Sequence, residues 1–290
     1  MELFLSTLIN GLSLGGIYAM IALGYTMVYG IAKMLNFAHG DIIMVGGYII
    51  YVFMALNNPL LAIFMAVVGC VLLGILIEKV AYKPLRGASP LAVLITAIGV
   101  SYLLQSLAQI IFGSANKMVT VYDFGSVTIL GVPMQVSALV TLGVTVAVMV
   151  ALTLFIKYTR LGRAMIAVSE DKGAAQLMGI NVNGIITITF AIGSALAALA
   201  GLFYLLKAPS ISSTLGAMPG IKAFTAAVIG GIGSIPGAML GGILPGMVEC
   251  ISYKITAIAP YTDAIEFSIL IIILLVRPTG FLGKKRREKV

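Results

Sequence analysis

Three observations predict an all-α polytopic membrane protein of about eight transmembrane helices, some of them short or broken. Of the 290 residues, 60% are hydrophobic and 10% are charged, whereas a soluble domain carries about a quarter charged residues to cover its surface. The apolar runs are continuous and of bilayer-crossing length, as helices in lipid require; the strands of a membrane β-barrel would alternate polar and apolar instead. Thirteen of the eighteen Lys and Arg residues fall in three clusters. These are Lys79, Lys83 and Arg86; Lys157, Arg160, Arg163 and Lys172; and Arg277 with Lys284 to Arg287 and Lys289. Such clusters mark retained, cytoplasmic loops, so the net charge of +8 reads as topology and not as nucleic-acid binding.

The first apolar run, Leu3 to Ile31, crosses with tilt and reads as a retained span rather than a cleaved signal, since no basic segment precedes it. It breaks at Lys33 to Asp41. Ile42 to Leu56 is too short for a straight crossing of roughly 30 Å, and Leu60 to Ile77 then runs into the first basic loop, Glu78 to Pro90. If all three runs cross, the N-terminus lies outside; if the short one is a half-helix, it lies inside. Leu91 to Phe112 crosses outward. Gly113 to Gln135 carries only Lys117 and Asp123 and belongs outside, with VTVYDFGSVTIL extended or hairpin-like. Val136 to Ile156 returns. Ile185 to Leu206 crosses outward with Gly193, Ala197 and Gly201 in a stripe that admits close helix packing.

Lys207 to Pro219 is polar enough to sit outside. Gly220 to Gly246 is dense in glycine, and Pro236 and Pro245 are expected to interrupt helical hydrogen bonding there, with two short or broken helices meeting near Gly233 and Ser234. Ala264 to Val276 brings the tail inside. The interruptions at Lys33 to Asp41 and Gly230 to Gly237 fall in opposite halves, the arrangement expected of duplicated transporter folds. Cys70 and Cys250 lie in apolar runs and imply neither a disulfide nor a metal site.

Templates for catalysis are missing. There is no H-E-x-x-H, no G-x-S-x-G and no G-x-x-x-x-G-K-[ST] phosphate loop, so this chain is not expected to hydrolyse ATP or to need a cofactor or metal. One polar cluster does point to a path: Asn36, Phe37, His39, Gly40 and Asp41. Ionisable groups at membrane depth are costly and usually face a cavity or a partner. A helix broken there offers backbone and side-chain groups to a solute such as an amino acid, whose carboxylate suits a half-helix N-terminus. The competing reading has Asp41 merely cap the helix that follows. Gly233 and Ser234 suggest a narrow path or hinge, against the blander reading of tight helix packing for the glycines around them. Lys222 and Glu249 are isolated charges of open role.

Lys157 to Gly184 is the longest polar interruption. Helix formers from Arg163 to Met178 are closed by Gly179, and Ala164, Ala167, Val168, Ala174, Ala175, Leu177 and Met178 supply small apolar surface on a helical period. Two readings compete: an amphipathic helix lying on the membrane, or a knob inserted into a soluble partner.

Four segments, GYTMVYGIAKMLNFAHGD, GRAMIAVSEDKGAAQLMGIN, KAFTAAVIGGIGSIPGAMLGG and VRPTGFLG, occur in order along nearly the whole chain. Together they resemble the LivH-type permease of branched-chain amino-acid ABC importers. The resemblance implies one transmembrane permease domain over residues 1–290, with a coupling loop at 157–184 and a basic cytoplasmic tail at 277–290. It implies a bacterial or archaeal plasma-membrane location and translocation of branched-chain or related amino acids. It also implies partners: a second, similar permease, two cytoplasmic ATP-binding subunits and an extracytoplasmic solute-binding protein. The loop matching Ala167 to Gly179 corresponds in that family to the coupling helix that docks into the ATPases, which singles out Ala167, Glu170, Asp171, Ala174, Ala175 and Gly179. Permeases of urea or short amides in the same superfamily, and an ATPase-independent channel or carrier, remain alternatives.

Overall fold

A computed structural model describes residues 2–119, 124–129 and 132–283; Asp123 and the basic residues from Lys284 onward lie outside the described residues. Eleven α-helices and two small antiparallel strand pairs form among the described residues. Seven helices are long and apolar enough to span a membrane, and two more, shorter ones lie between them.

Helix α1 (Glu2–Ala32) is apolar all round, and such a helix is expected in the interior. It is: 89% of its apolar window is buried, against 17% for α4 (Pro90–Phe112). Against α1 pack α5 (Val136–Tyr158), α8 (Val182–Lys207), α9 (Ala217–Gly230) and α10 (Ile235–Lys254); α2 (His39–Met54) and α3 (Pro59–Ile77) pack on α8, and α11 (Thr262–Val276) packs on α9 and α10. Helix starts follow local chemistry: Asn58 and Ser89 each accept a hydrogen bond from the backbone two or three residues into a helix that begins with proline, where the missing N–H costs nothing. Three of the four strands lie between residues 113 and 135, and Ser126–Ile129 falls in the stretch expected to be extended or hairpin-like. β1 (Lys117–Met118) pairs with β4 (Ser210–Ile211), and β2 (Ser126–Ile129) with β3 (Val132–Gln135).

Basic residues gather at one end of the bundle. Arg86 bonds Asn183 at the start of α8, and Lys172 bonds the Ala32 carbonyl at the end of α1. The positive-inside rule makes this the cytoplasmic end. The opposite end holds the start of α1 together with Gln135, Lys207 and Lys254. The N-terminus is therefore outside, although α2 is a half-helix. Residues 33–38 reconcile the two: they climb back from Ala32 so that His39 packs on Gly24, eight residues and about 12 Å up α1. Helix α2 then completes the outward crossing.

The second half repeats this in reverse. Helix α8 ends outside at Lys207, residues 208–216 descend to mid-depth, and α9 completes an inward crossing to Gly230. Helix α1 packs on α8, α9 and α10, while α8 packs on α1, α2 and α3. Helices α1–α4 and α8–α11 thus form an inverted pair, with α5 and the cytoplasmic loop between them. The counterpart of the Lys33 to Asp41 break is the 208–216 link, not Gly230 to Gly237.

The glycine-rich segment is packing surface. Side chains added at Gly242 and Gly246 would collide with Ala19, Gly15 and Gly11 of α1. The two helices α9 and α10 do meet at Gly231 to Ser234, as expected. Pro236, however, sits in the first turn of α10 and breaks nothing, and α10 continues through Pro245.

Candidate functional site

Two half-helix N-termini meet at mid-depth. Gly40 and Gly216 face each other so closely that a Cβ on either would strike the other's carbonyl. Neither α2 nor α9 has a side-chain cap, because their N-cap residues are Ala38 and Gly216. Their first-turn N–H groups carry the positive end of each helix dipole. The Tyr25 hydroxyl lies beside Gly220, so α1 supplies a polar group at the junction.

A cavity of about 330 Å³ opens at this junction, lined by Tyr25, Phe37, Asp41, Ser101, Tyr102 and Gln105 among others. Asp41 does not cap α2. It occupies the third position of a helix that begins at His39, and its Oδ1 accepts from Gln105 Nε2 of α4 at 2.9 Å. Gln105 also donates to Ser101 Oγ at 3.2 Å. A carboxylate held by a neutral amide keeps its negative charge available to the cavity.

Of the five expected residues in this cluster, Phe37, Gly40 and Asp41 line the cavity and two do not. His39 is buried edge-on against Tyr25, with ring centroids 4.8 Å apart, and its Nε2 abuts Gly24. Asn36 accepts from the Tyr82 hydroxyl at 2.9 Å and lies on the cytoplasmic side of Tyr25. Gly233 and Ser234 are not brought to the cavity. They form the cytoplasmic turn before α10, where Gly233 has φ +96° and Ser234 Oγ accepts from the Gly237 N–H. Tyr25, Ser101 and Gln105, unremarkable in sequence, also line the cavity, and Phe224 packs on Tyr25 and Phe37.

The lone charges Lys222 and Glu249 prove to be partners. Lys222 Nζ lies 2.9 Å from Glu249 Oε2, 2.9 Å from Asp263 Oδ1 and 3.4 Å from Glu266 Oε2. The Tyr18 hydroxyl donates to Glu249 at 2.6 Å. This network ties α9 to α1, α10 and α11 one turn from the cavity. At the cytoplasmic end, the fully buried Glu78 pairs with Arg86 and accepts from Thr187 at 2.8 Å, which pins the α3–α4 connection to α8.

The cytoplasmic loop is two helices, α6 (Arg160–Glu170) and α7 (Lys172–Leu177). Thr159 caps the first through the Gly162 N–H at 2.9 Å, and Asp171 caps the second through the Ala174 N–H at 3.0 Å. Gly179 ends α7 with φ +80°, a left-handed conformation that favours glycine. Met165, Val168 and Ala175 are buried against the bundle, and Ala167 is half-buried. Glu170, Asp171, Ala174 and Gly179 are exposed. Leu177 and Met178 stand out at 91% and 82% exposure. The loop is therefore held to the bundle by one face and presents an acidic and apolar tip to the cytoplasm.

Residues 7–274 match the family model described as "Branched-chain amino acid transport system / permease component". The chain belongs to this family. It is 44% identical to the high-affinity branched-chain amino acid transport system permease protein BraD of Pseudomonas aeruginosa, over 99% of this chain and 98% of that protein. It is 42% identical to the LivH permease proteins of Salmonella typhimurium and Escherichia coli, again over 99% and 98%. The permease is thus a multi-pass plasma-membrane component of a transport system and not an enzyme.

Proposed function

We propose that the permease carries branched-chain amino acids across the membrane through the junction of α2 and α9, driven by ATPases that act on α6 and α7. The cavity at that junction carries the reading. Asp41 offers a counter-charge to an α-ammonium, the two helix N-termini suit an α-carboxylate, and Phe37, Ile98, Tyr102 and Ile221 supply apolar wall for an aliphatic side chain. A volume of about 330 Å³ falls within the range of small-molecule sites. Tyr102 and Ile221 are 66% and 42% exposed, which supports a second permease closing the cavity on that side.

Two ATP-binding subunits would dock at the tip formed by Glu170, Asp171, Ala174, Leu177, Met178 and Gly179, and a solute-binding protein at the outer end. The named relatives, all components of branched-chain amino acid systems, support the choice of solute. Uptake by vesicles holding the full complex, tested with labelled leucine, isoleucine, valine and urea, distinguishes the alternatives. Saturable, ATP-dependent uptake of the three amino acids is expected. Uptake of urea alone, or amino-acid uptake that persists with the ATPases deleted, overturns the proposal.

A further inference from the structure

Below the cavity the path is shut by three aromatic rings from three elements. Phe37 comes from the 33–38 link, Tyr25 from α1 and Phe224 from α9. The Phe37 and Phe224 centroids are 5.5 Å apart, and those of Tyr25 and Phe224 are 5.8 Å apart. On one side of this cluster lies the cavity lined by Phe37 and Tyr25. On the other lies a narrow space lined by Tyr25, Tyr29, Asn36, Phe224 and Ile232, with no room for a water molecule. Ile232 belongs to the cytoplasmic turn between α9 and α10, so this second space leads to the cytoplasmic end.

We propose that Phe37 and Phe224, seated on Tyr25, are the cytoplasmic gate of the permease, closed in this structure and worked from the cytoplasmic loop through Lys172. This rests on the reading of the cavity as the substrate site. The three rings are unequal. Tyr25 is buried and packed edge-on against the buried His39, whereas Phe37 and Phe224 are each half-buried. Phe37 is also carried by backbone outside any helix, so it moves without breaking a helical ladder. Rings in edge or tilted contact exclude water without an interlocking covalent or ionic contact, so the closed state is reversible.

The mover is adjacent. Lys172, at the start of α7, donates from Nζ to the Ala32 carbonyl at 2.7 Å, and Ala32 is the residue from which the Phe37 link departs. A displacement of α7 therefore acts on the base of the segment that carries Phe37. Phe224 lies two residues from Lys222, whose ion pairs hold that part of α9 to α10 and α11. One ring is placed on a movable link and the other on an anchored helix.

The test uses the assembled complex in proteoliposomes, with Ser101→Cys in the cavity on a Cys250→Ser background. A membrane-impermeant thiol reagent is applied from the cytoplasmic face. In the closed resting state labelling is expected to be slow, and Phe37→Ala with Phe224→Ala should speed it at least about tenfold. Phe37→Leu with Phe224→Leu, which keeps apolar bulk, should restore slow labelling and shows that the alanine effect is not misfolding. Equal labelling rates in the parent and the alanine variant, in complexes of the same size and subunit content, overturn the gate. ATP-free leakage of labelled leucine is measured in parallel and should rise with the alanine pair. If labelling responds as expected but the complex carrying none of these substitutions takes up no amino acid, the substrate reading fails and the gate stands.

Discussion

The cytoplasmic loop and the mid-membrane junction are both polar interruptions of an apolar chain, yet they are built in opposite ways. The loop is local and exposed. Its caps, Thr159 and Asp171, and its terminator, Gly179, lie within one stretch of sequence. The junction is non-local and buried: Tyr25, Phe37, Asp41, Gln105, Gly216 and Phe224 come from six separate segments. A surface that must meet another subunit is exposed and tolerant of substitution, whereas a site at membrane depth must satisfy every polar group within the protein.

This contrast sets an order of sensitivity. The largest effect is expected at Lys222. Lys222→Ala leaves the buried Glu266 and the half-buried Glu249 without their cation, which costs about 3–5 kcal/mol. Thermal unfolding of the purified complex should show a large loss of stability, and unchanged unfolding would mean that the network is not holding α9. Next comes Gly216→Val, which drives a side chain into the Gly40 carbonyl. Overpacking of this kind costs about 1–3 kcal/mol, and uptake should fall with it; wild-type uptake would show that the two helix N-termini need no close approach.

In the loop the expectation reverses. Glu170→Ala should change the stability of the permease by less than about 0.5 kcal/mol, because Glu170 is exposed. It should nevertheless reduce ATPase co-purification and solute-stimulated hydrolysis. If both survive, the tip is not the docking surface.

The smallest effect is a pH dependence at Lys172. Burial, and then the nearby Arg86, lower the Lys172 ammonium below the ordinary lysine range. Since the lowered value belongs to the folded state, raising the pH discharges Lys172 there before it would in the unfolded chain. Its charged hydrogen bond to Ala32 is complete at neutral pH and is lost on the alkaline side, while the folding penalty of holding the charge fades over the same window. Coupled ATPase activity should therefore decline at alkaline pH in the wild type and persist further in Lys172→Arg; identical profiles would separate Lys172 from coupling.

The same contrast explains what sequence reveals. Charge clustering and the Gly179 terminator made the loop visible, because each signal acts over a few residues. The fold class was visible for the same reason, since continuous apolar runs report directly on lipid. Part of the junction was visible as well: Asp41 is conspicuous in apolar surroundings and lines the cavity, whereas Asn36 and His39, conspicuous for the same reason, pack away from it. The rest was not. Residues 208–216 are polar and follow an outward crossing, so composition assigns them to the exterior, and only the descent to Gly40 shows their place. Glycine density drew the expected second break to Gly230–Gly237, whereas glycine there marks close packing of α10 on α1. Gln105 and Phe224 carry no local signal; their roles arise from which helix they face.

The most direct test of the account is a crossed comparison of Asp41→Asn with Glu170→Ala in reconstituted complexes. Binding-protein-dependent uptake of labelled leucine and basal ATP hydrolysis would be measured on the same samples. Asp41→Asn should lower uptake at least about tenfold while the ATPases co-purify and basal hydrolysis continues; Glu170→Ala should weaken ATPase association. Wild-type uptake kinetics in Asp41→Asn, or loss of ATPase binding in that variant with none in Glu170→Ala, would contradict the division of labour between the junction and the loop.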